Sequence, residues 1–267
     1  KLYIMNYKRL QSDIRIFILE AIHNGKSSHV GSSLSCVDIL IAQMQHIKNN
    51  QKTEPLDIIN NIILSKGHAA SAFYGLIHSS CEDSTIDKNK YYQNNSWLTG
   101  HVSHKVNGVI HSTGSLGHGL PVASGIAYVN KNKFYSVLLS DGELQEGSNW
   151  EALMVIPNLK INNVSVVIDY NNQQSFGKVS DTMDLEPLVD KLLAFGWNVS
   201  VADGHNIDEL VNTLDKNINL DKPHIVVAHT IKGKGVSFME DKTTFHYNPP
   251  SDDELELAKK EIVSKYK

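Results

Sequence analysis

Apolar runs of strand length alternate with segments of helical spacing along this chain, and that alternation leaves few architectures open. It is plainest in the middle. Residues 134–139 form an apolar run, Asp141-Gly142 breaks it, helical spacing continues to about Ile156, and a second apolar run covers 164–169. Two strands joined through a helix make a βαβ unit, which sets the strands parallel. The same rhythm predicts a helix over 8–23 that stops at Asn24-Gly25, a second over 35–46 with Asp38 near its start, and a strand at 61–64. That strand leads into Ser65-Lys-Gly-His68 and a helix to His78, while the polar stretch 81–97 reads as a long loop or irregular helix. Beyond the centre come a helix over 185–194, a strand at 197–201, a helix over 207–214 and a strand at 225–229. No repeat or low-complexity linker divides the 267 residues. The expectation is a single α/β domain over 1–267: a doubly wound, mostly parallel sheet with helices on both faces.

Composition narrows the function classes. A formal net charge of −4 gives no electrostatic footprint for nucleic acid, and no Lys/Arg run suits an anionic membrane. No apolar stretch is long enough for a bilayer, since the run 14–21 is interrupted by Arg15 and Glu20. The chain start lacks a signal-peptide layout. Cys36 and Cys81 have neither metal-ligand nor disulfide-framework spacing and read as reduced thiols, pointing to a cytoplasmic protein.

Open α/β sheets bind ligands at the carboxyl ends of their strands. Asp141 directly follows one strand, and Asn171 follows Asp169-Tyr170 at the end of the next. On adjacent strands they would bring a carboxylate and an amide oxygen together, hard donors suited to Mg²⁺ or Ca²⁺. On spacing alone, both Asp-Gly and Asn-Asn also fit ordinary turns. The glycine-rich turn Gly114-Ser-Leu-Gly-His-Gly119 precedes an apolar helix running through Tyr128 and offers backbone N–H groups to an anion, although such turns also serve packing. Together the two features suggest a diphosphate-bearing cofactor. The chain has neither a dinucleotide fingerprint nor a P-loop. Of thirteen histidines, His29, His68, His101 and His246 sit beside turn residues, where imidazoles bind phosphate and hydroxyls or relay protons. Taken singly, each fits a surface turn better. There is no H-E-x-x-H pair and no G-x-S-x-G elbow.

Ser140-Asp-Gly-Glu-Leu-Gln-Glu-Gly147, Asn149-Trp-Glu-Ala152 and Asp169-Tyr-Asn-Asn172 together resemble the thiamine-diphosphate motif in its transketolase version. Four further segments agree in order and rough spacing with that family. Leu64-Ser-Lys-Gly-His-Ala69 is similar to L-S-x-G-H, Gly114–Gly119 to G-P-L-G-Q-G, Thr99-Gly-His101 to the start of P-G-H-P-E, and Ser28-His-Val-Gly31 to G-H-P-G. The resemblance implies that Asp141, Asn171 and the backbone carbonyl of Gln173 hold Mg²⁺, with Ca²⁺ a possible substitute, against the cofactor diphosphate. It implies that His68, Gly114, Leu116, Gly142, Glu143, Asn171 and His246 line the cofactor. His29, His101 and His246 match the histidines that face the reacting sugar, and Glu146 matches a glutamate near the subunit contact.

Several positions depart from the family. Ser140 replaces the first Gly of G-D-G, Val30 and Val102 replace prolines, His118 stands where Gln is usual, and Phe176 precedes Gly177 where Asp is common. They mark a divergent member and leave the ketose donor, the aldose acceptor and the pathway open. The family's activating glutamate and its main sugar-phosphate donors belong to a pyrimidine-binding domain. That domain and the C-terminal domain match nothing here. The resemblance therefore implies the N-terminal subunit of a split transketolase, moving a two-carbon ketol unit from a ketose to an aldose. Its expected partner is a C-terminal, pyrimidine-binding subunit on a separate chain, in an α2β2 heterotetramer acting on sugars or sugar phosphates. The alternatives are a subunit of a thiamine-diphosphate 2-oxo acid decarboxylase or dehydrogenase, and a half-protein that binds a partner without catalysis.

Overall fold

The structure, a computed structural model, describes residues 6–51, 54–82, 84–216 and 221–266. In chain order the elements are α1 (Tyr7–Gly25), α2 (Val30–Ser35), α3 (Val37–Asn50), α4 (Pro55–Asn60), β1 (Ile62–Leu64), α5 (Ala70–Ser80), α6 (Gly119–Val129), β2 (Tyr135–Ser140), α7 (Gly147–Asn158) and β3 (Val164–Tyr170). They continue with α8 (Val179–Thr182), α9 (Leu188–Ala194), β4 (Asn198–Asp203), α10 (Ile207–Lys216), β5 (His224–His229), α11 (Thr244–Tyr247) and α12 (Asp252–Lys265). The five strands form one sheet in the order β1-β2-β3-β5-β4, and every neighbouring pair is parallel. The chain leaves central β3 for the edge strand β4 and returns through α10 to β5.

Strand side chains alternate between faces with period two, and both faces are covered. Leu138, Val167 and Val226 point into one apolar layer with Ile14 of α1, Ile39 of α3, Phe73 of α5, Leu210 of α10 and Ile262 of α12. Val137, Leu139, Val166, Ile168, Ile225 and Val227 point into the other, with Leu120 of α6, Leu153 of α7 and Leu192 of α9. Each such aliphatic side chain contributes about 1.5–3 kcal/mol on full burial. The doubly wound α/β architecture expected from the sequence is the one observed. No helix among the described residues is long and apolar enough to cross a membrane.

Local differences from the sequence-based expectation have local causes. The helix expected over 35–46 is α3, which begins at Val37 because Cys36 (φ −102, ψ 7) leaves the helical region and separates it from the short α2 before it. Short α4, α8 and α11 have too few turns to register a period. Helix α12, for which no element was expected, carries Leu255, Ala258 and Ile262 on one face and a capping box from Ser251 to Glu254. Edge strand β4 extends to Asp203, past the apolar stretch, since its outer residues face solvent.

One buried ionic network ties the helical layer to the loops at the carboxyl end of the sheet. The Arg15 guanidinium donates to Asp38 at 2.7 Å, and both side chains are at most 1 % exposed. Gln11 donates to Asp38 Oδ1 at 2.8 Å, and Arg15 Nε donates to the Lys234 carbonyl at 3.2 Å. Burial alone pushes the Asp38 carboxyl up, but the charge of Arg15 and hydrogen bonds from His205 and Arg15 hold it well below the usual carboxylate range. A carboxyl depressed on folding contributes stability that is complete above about pH 4 and lost as pH falls toward the folded value. Asp38→Asn leaves a buried guanidinium unpaired and is expected to cost roughly 3–5 kcal/mol. Urea unfolding checks this: the midpoint should fall, and the gap from the parent chain should shrink below about pH 4.

Candidate active site

Strands β2 and β3 are in register at Ser140 and Asp169, so Asp141 and Asn171 emerge side by side from the end of the sheet. Asp141 is 1 % exposed. Its Oδ1 accepts the Gly142 N–H at 2.7 Å and its Oδ2 the Asn172 N–H at 2.5 Å. Burial, and next the charge of Asp169, push its carboxyl up to about 7. Such a carboxylate gains most from a cation at its open side. The Asn171 amide donates to Ser35 Oγ at 3.2 Å, and its Oδ1 accepts the Gln173 N–H at 3.0 Å. Lys232 Nζ donates to the carbonyls of Gln174 at 2.8 Å and Gln173 at 3.4 Å. A carboxylate, an amide oxygen and a main-chain carbonyl around one spot form the oxygen-donor set that fits Mg²⁺ or Ca²⁺. Among the described residues, no three or more His, Cys, Asp or Glu side chains are grouped to hold a metal.

Beneath them Asp169 is fully buried and accepts from Lys66 Nζ, from Thr230 Oγ1 and from Ser35 Oγ at 2.7 and 2.8 Å. Lys66 also donates to the Ser32 carbonyl at 3.2 Å. Burial opposes ionisation of Asp169, but the Lys66 charge and these hydrogen bonds keep its carboxyl low. Two lysines therefore face the cleft from segments that follow strands. Lys232 is pulled down to about 8 by burial and then by Lys66.

The glycine-rich turn closes the other side. A Cβ at Gly114 would meet no protein atom within 4 Å, so the backbone there is open to a ligand. At Gly117, with φ +82, a Cβ would lie 2.6 Å from Glu146 Cβ, so the tight turn requires glycine. Glu143 fixes this turn. Fully buried, its carboxylate accepts from Ser65 Oγ at 2.5 Å, the Gly117 N–H at 2.9 Å and the Ser140 N–H at 3.3 Å. Its oxygens are thus engaged with protein groups.

The four sequence-selected histidines converge from separate segments. Ring centroids of His29 lie 4.9 Å from His246, 5.5 Å from His68 and 5.7 Å from His101. His29 adopts φ +76, and its N–H donates to the His246 carbonyl at 2.7 Å, which joins the loop before α2 to α11. Burial, then neighbouring cationic groups, lower His29 to about 4 and His246 to about 3. His68 is lowered by burial and by Lys66, and His101 by burial.

One cleft of about 400 Å³ is lined by all of His29, His68, His101, His246, Gly114, Leu116, Asp141, Gly142, Glu143, Glu146, Asn171 and Gln173. It also takes in Ser32, Lys66, Gln174 and Lys232, to which the sequence alone assigned no role. Lys232 follows the end of β5, so the strand-end rule applied to Asp141 would also have found it. Of the departures from the family pattern, Val30 and Val102 are packed in the core, and Phe176 stands 81 % exposed beside the cleft-lining Ser175. His118 is exposed and bonds through Nδ1 to the Leu116 carbonyl at 2.8 Å.

The electrostatics yield a measurable signature. In the folded chain His29 and His246 are expected to stay neutral from pH 7 down to about 5, whereas an unfolded histidine protonates near 6.5. The folded values lie below the unfolded one, so the stability is complete above about pH 6.5 and falls as pH drops from there toward 4. An NMR titration of labelled histidines checks this. Midpoints near 6.5 for both rings would contradict it.

The family model described as transketolase, thiamine diphosphate binding domain, matches residues 6–266. One of the subunits of the apulose-4-phosphate transketolase of Actinobacillus succinogenes is 38% identical over 278 residues, covering 97% of this chain and 98% of that protein. The 6-deoxy-6-sulfo-D-fructose transketolase subunit SqwG of a Clostridium species is 33% identical over 87% of each chain. The crystal structure of Campylobacter jejuni transketolase superposes with a TM-score of 0.87 at 26% identity, over 98% of this chain and 43% of that one. The chain thus spans nearly the full length of the subunit relatives and about two-fifths of that single-chain transketolase. It belongs to the transketolase family, as a thiamine diphosphate-binding domain.

Proposed function

We propose that this chain is the N-terminal subunit of a split transketolase, a single diphosphate-binding domain that transfers a ketol unit only when joined by a pyrimidine-binding subunit. The observation that carries the proposal is the convergence, in one cleft, of an oxygen-donor set with four histidines held neutral. Near-complete coverage of relatives named as subunits supports a partner on a separate chain. An α2β2 assembly is the symmetric arrangement that pairs two such sites, and Glu146, exposed at the cleft, is the side chain assigned to the subunit contact.

Asp141, Asn171 and the Gln173 carbonyl would hold Mg²⁺, which would supply positive charge for the cofactor diphosphate. Gly114, Leu116 and Gly142 would let the backbone approach the cofactor, His68 would contact it, and Lys232 would balance its charge, with Lys66 already paired to Asp169. When bound, thiamine diphosphate supplies the carbanion chemistry that breaks and remakes the carbon–carbon bond. His29, His101 and His246 bind the hydroxyls of the ketose and take or give protons at them. Being uncharged at neutral pH, each ring offers one nitrogen that accepts a hydrogen bond and one that donates. Relatives named for apulose-4-phosphate and 6-deoxy-6-sulfo-D-fructose support a sugar substrate carrying an anionic group.

Steady-state assays of the two-subunit complex test the proposal. Ketose turnover should proceed in the presence of an aldose acceptor and pyruvate should not be consumed. His101→Ala should lower kcat by roughly 10²-fold while cofactor affinity holds. Pyruvate turnover without ketol transfer would favour a 2-oxo acid enzyme. His101→Ala activity within a fewfold of the parent would remove His101 from the chemistry.

A further inference from the structure

The loop after β5 reaches the cleft through Lys232, and the two residues before it bond to the groups around it. Thr230 Oγ1 donates to Asp169, and Lys232 Nζ reaches the Gln173 and Gln174 carbonyls. Ile231 lies between them. Its N–H points the other way and donates to His205 Nε2 at 2.8 Å. His205 is in the turn between β4 and α10, outside the residues that line the cleft. Its other nitrogen, Nδ1, is 2.8 Å from Asp38 Oδ2, the carboxylate already paired with Arg15.

These contacts determine the tautomer. A backbone amide can only donate, so His205 Nε2 presents its lone pair to Ile231. The ring proton then sits on Nδ1 and is given to Asp38. The imidazole spans a rigid base, the Arg15–Asp38 pair, and one peptide N–H immediately before Lys232. A lysine side chain has four rotatable bonds, so where its ammonium rests depends on how firmly its own backbone is held. Among the described residues, His205 Nε2 alone receives the Ile231 N–H.

We propose that His205 is a positioning residue for the cofactor cleft: by accepting the Ile231 N–H while braced on Asp38, it holds Lys232 where the ammonium meets the metal-ligand loop and the cofactor diphosphate. The inference rests on the assignment of that cleft to thiamine diphosphate. It reaches the cofactor through the peptide of Ile231 and the side chain of Lys232, not by contact.

Two amide substitutions separate the halves of the clamp. His205→Asn keeps a donor close to the position of Nδ1, facing Asp38, and lacks an acceptor for Ile231. His205→Gln places an amide oxygen close to the position of Nε2 and restores that acceptor. Calorimetric titration of thiamine diphosphate with Mg²⁺ into the two-subunit complex should show affinity about tenfold weaker for His205→Asn. Turnover at saturating cofactor should fall less than the affinity does, and His205→Gln should recover most of the binding. In a Lys232→Met background the His205→Asn effect should vanish, because the two act as one unit. An equal loss in that background would overturn the proposal and leave His205 a general stabiliser. A second readout needs no cofactor. In the full chain alone, ¹⁵N NMR should find the Nδ1–H tautomer at His205, and amide exchange at Ile231 should be slow in the parent chain and fast in His205→Asn. An Nε2–H tautomer, or unchanged exchange, would overturn the clamp. A parent complex that binds no cofactor would instead defeat the cofactor assignment, with the clamp still decided by the tautomer.

Discussion

The carboxylate of Asp169, at the end of the central strand, is the contact on which the site depends. It is fully buried, and it gathers Lys66 from the segment after β1, Ser35 from α2 and Thr230 from the loop after β5. Three chain segments distant in sequence are thereby tied to one strand end. A buried charge is tolerable only with its partners in place, and removing one partner typically costs about 3–5 kcal/mol. The geometry of the cleft above is therefore coupled to the stability of the fold beneath it. Next to this anchor, Asp141 and Asn171 leave adjacent strands in register. Glu143 performs the matching task on the other wall, drawing Ser65, Gly117 and Ser140 to one carboxylate.

Charge is distributed across the cleft by function. Lys66 and Lys232 line the same cleft as the histidines, and they contribute, after burial, to keeping His29 and His246 neutral. Under the proposed function, a site built this way would receive an anionic cofactor and yet offer uncharged imidazoles to sugar hydroxyls. The two requirements support each other: the same cations that attract a diphosphate discourage protonation of the rings.

Much of this was readable in the residues. The runs at 134–139 and 164–169 became β2 and β3 within a residue or two, because buried parallel strands are apolar on both faces. Asp141 and Asn171 were accessible through the rule that ligands gather at strand ends. The four histidines were visible as residues beside turns, but their convergence depends on loop paths that no local pattern encodes. Lys66, Lys232 and Ser32 lacked a role for a related reason, since a buried lysine is identified by its partners rather than by its neighbours in sequence. The break at Cys36 and the clamp at His205 are tertiary in the same sense. By contrast, α12 has an ordinary amphipathic pattern and cap, both legible in the sequence.

The central claim is that this chain holds the diphosphate half of a cofactor site which a second subunit completes. Calorimetric titration of thiamine diphosphate with Mg²⁺ into the chain alone, and then into its mixture with a pyrimidine-binding subunit, tests it most directly. Tight binding that appears only in the mixture, and is lost when Asp141→Ala replaces the parent chain, is the predicted result. Absence of binding in both samples, or undiminished binding by Asp141→Ala, would contradict it.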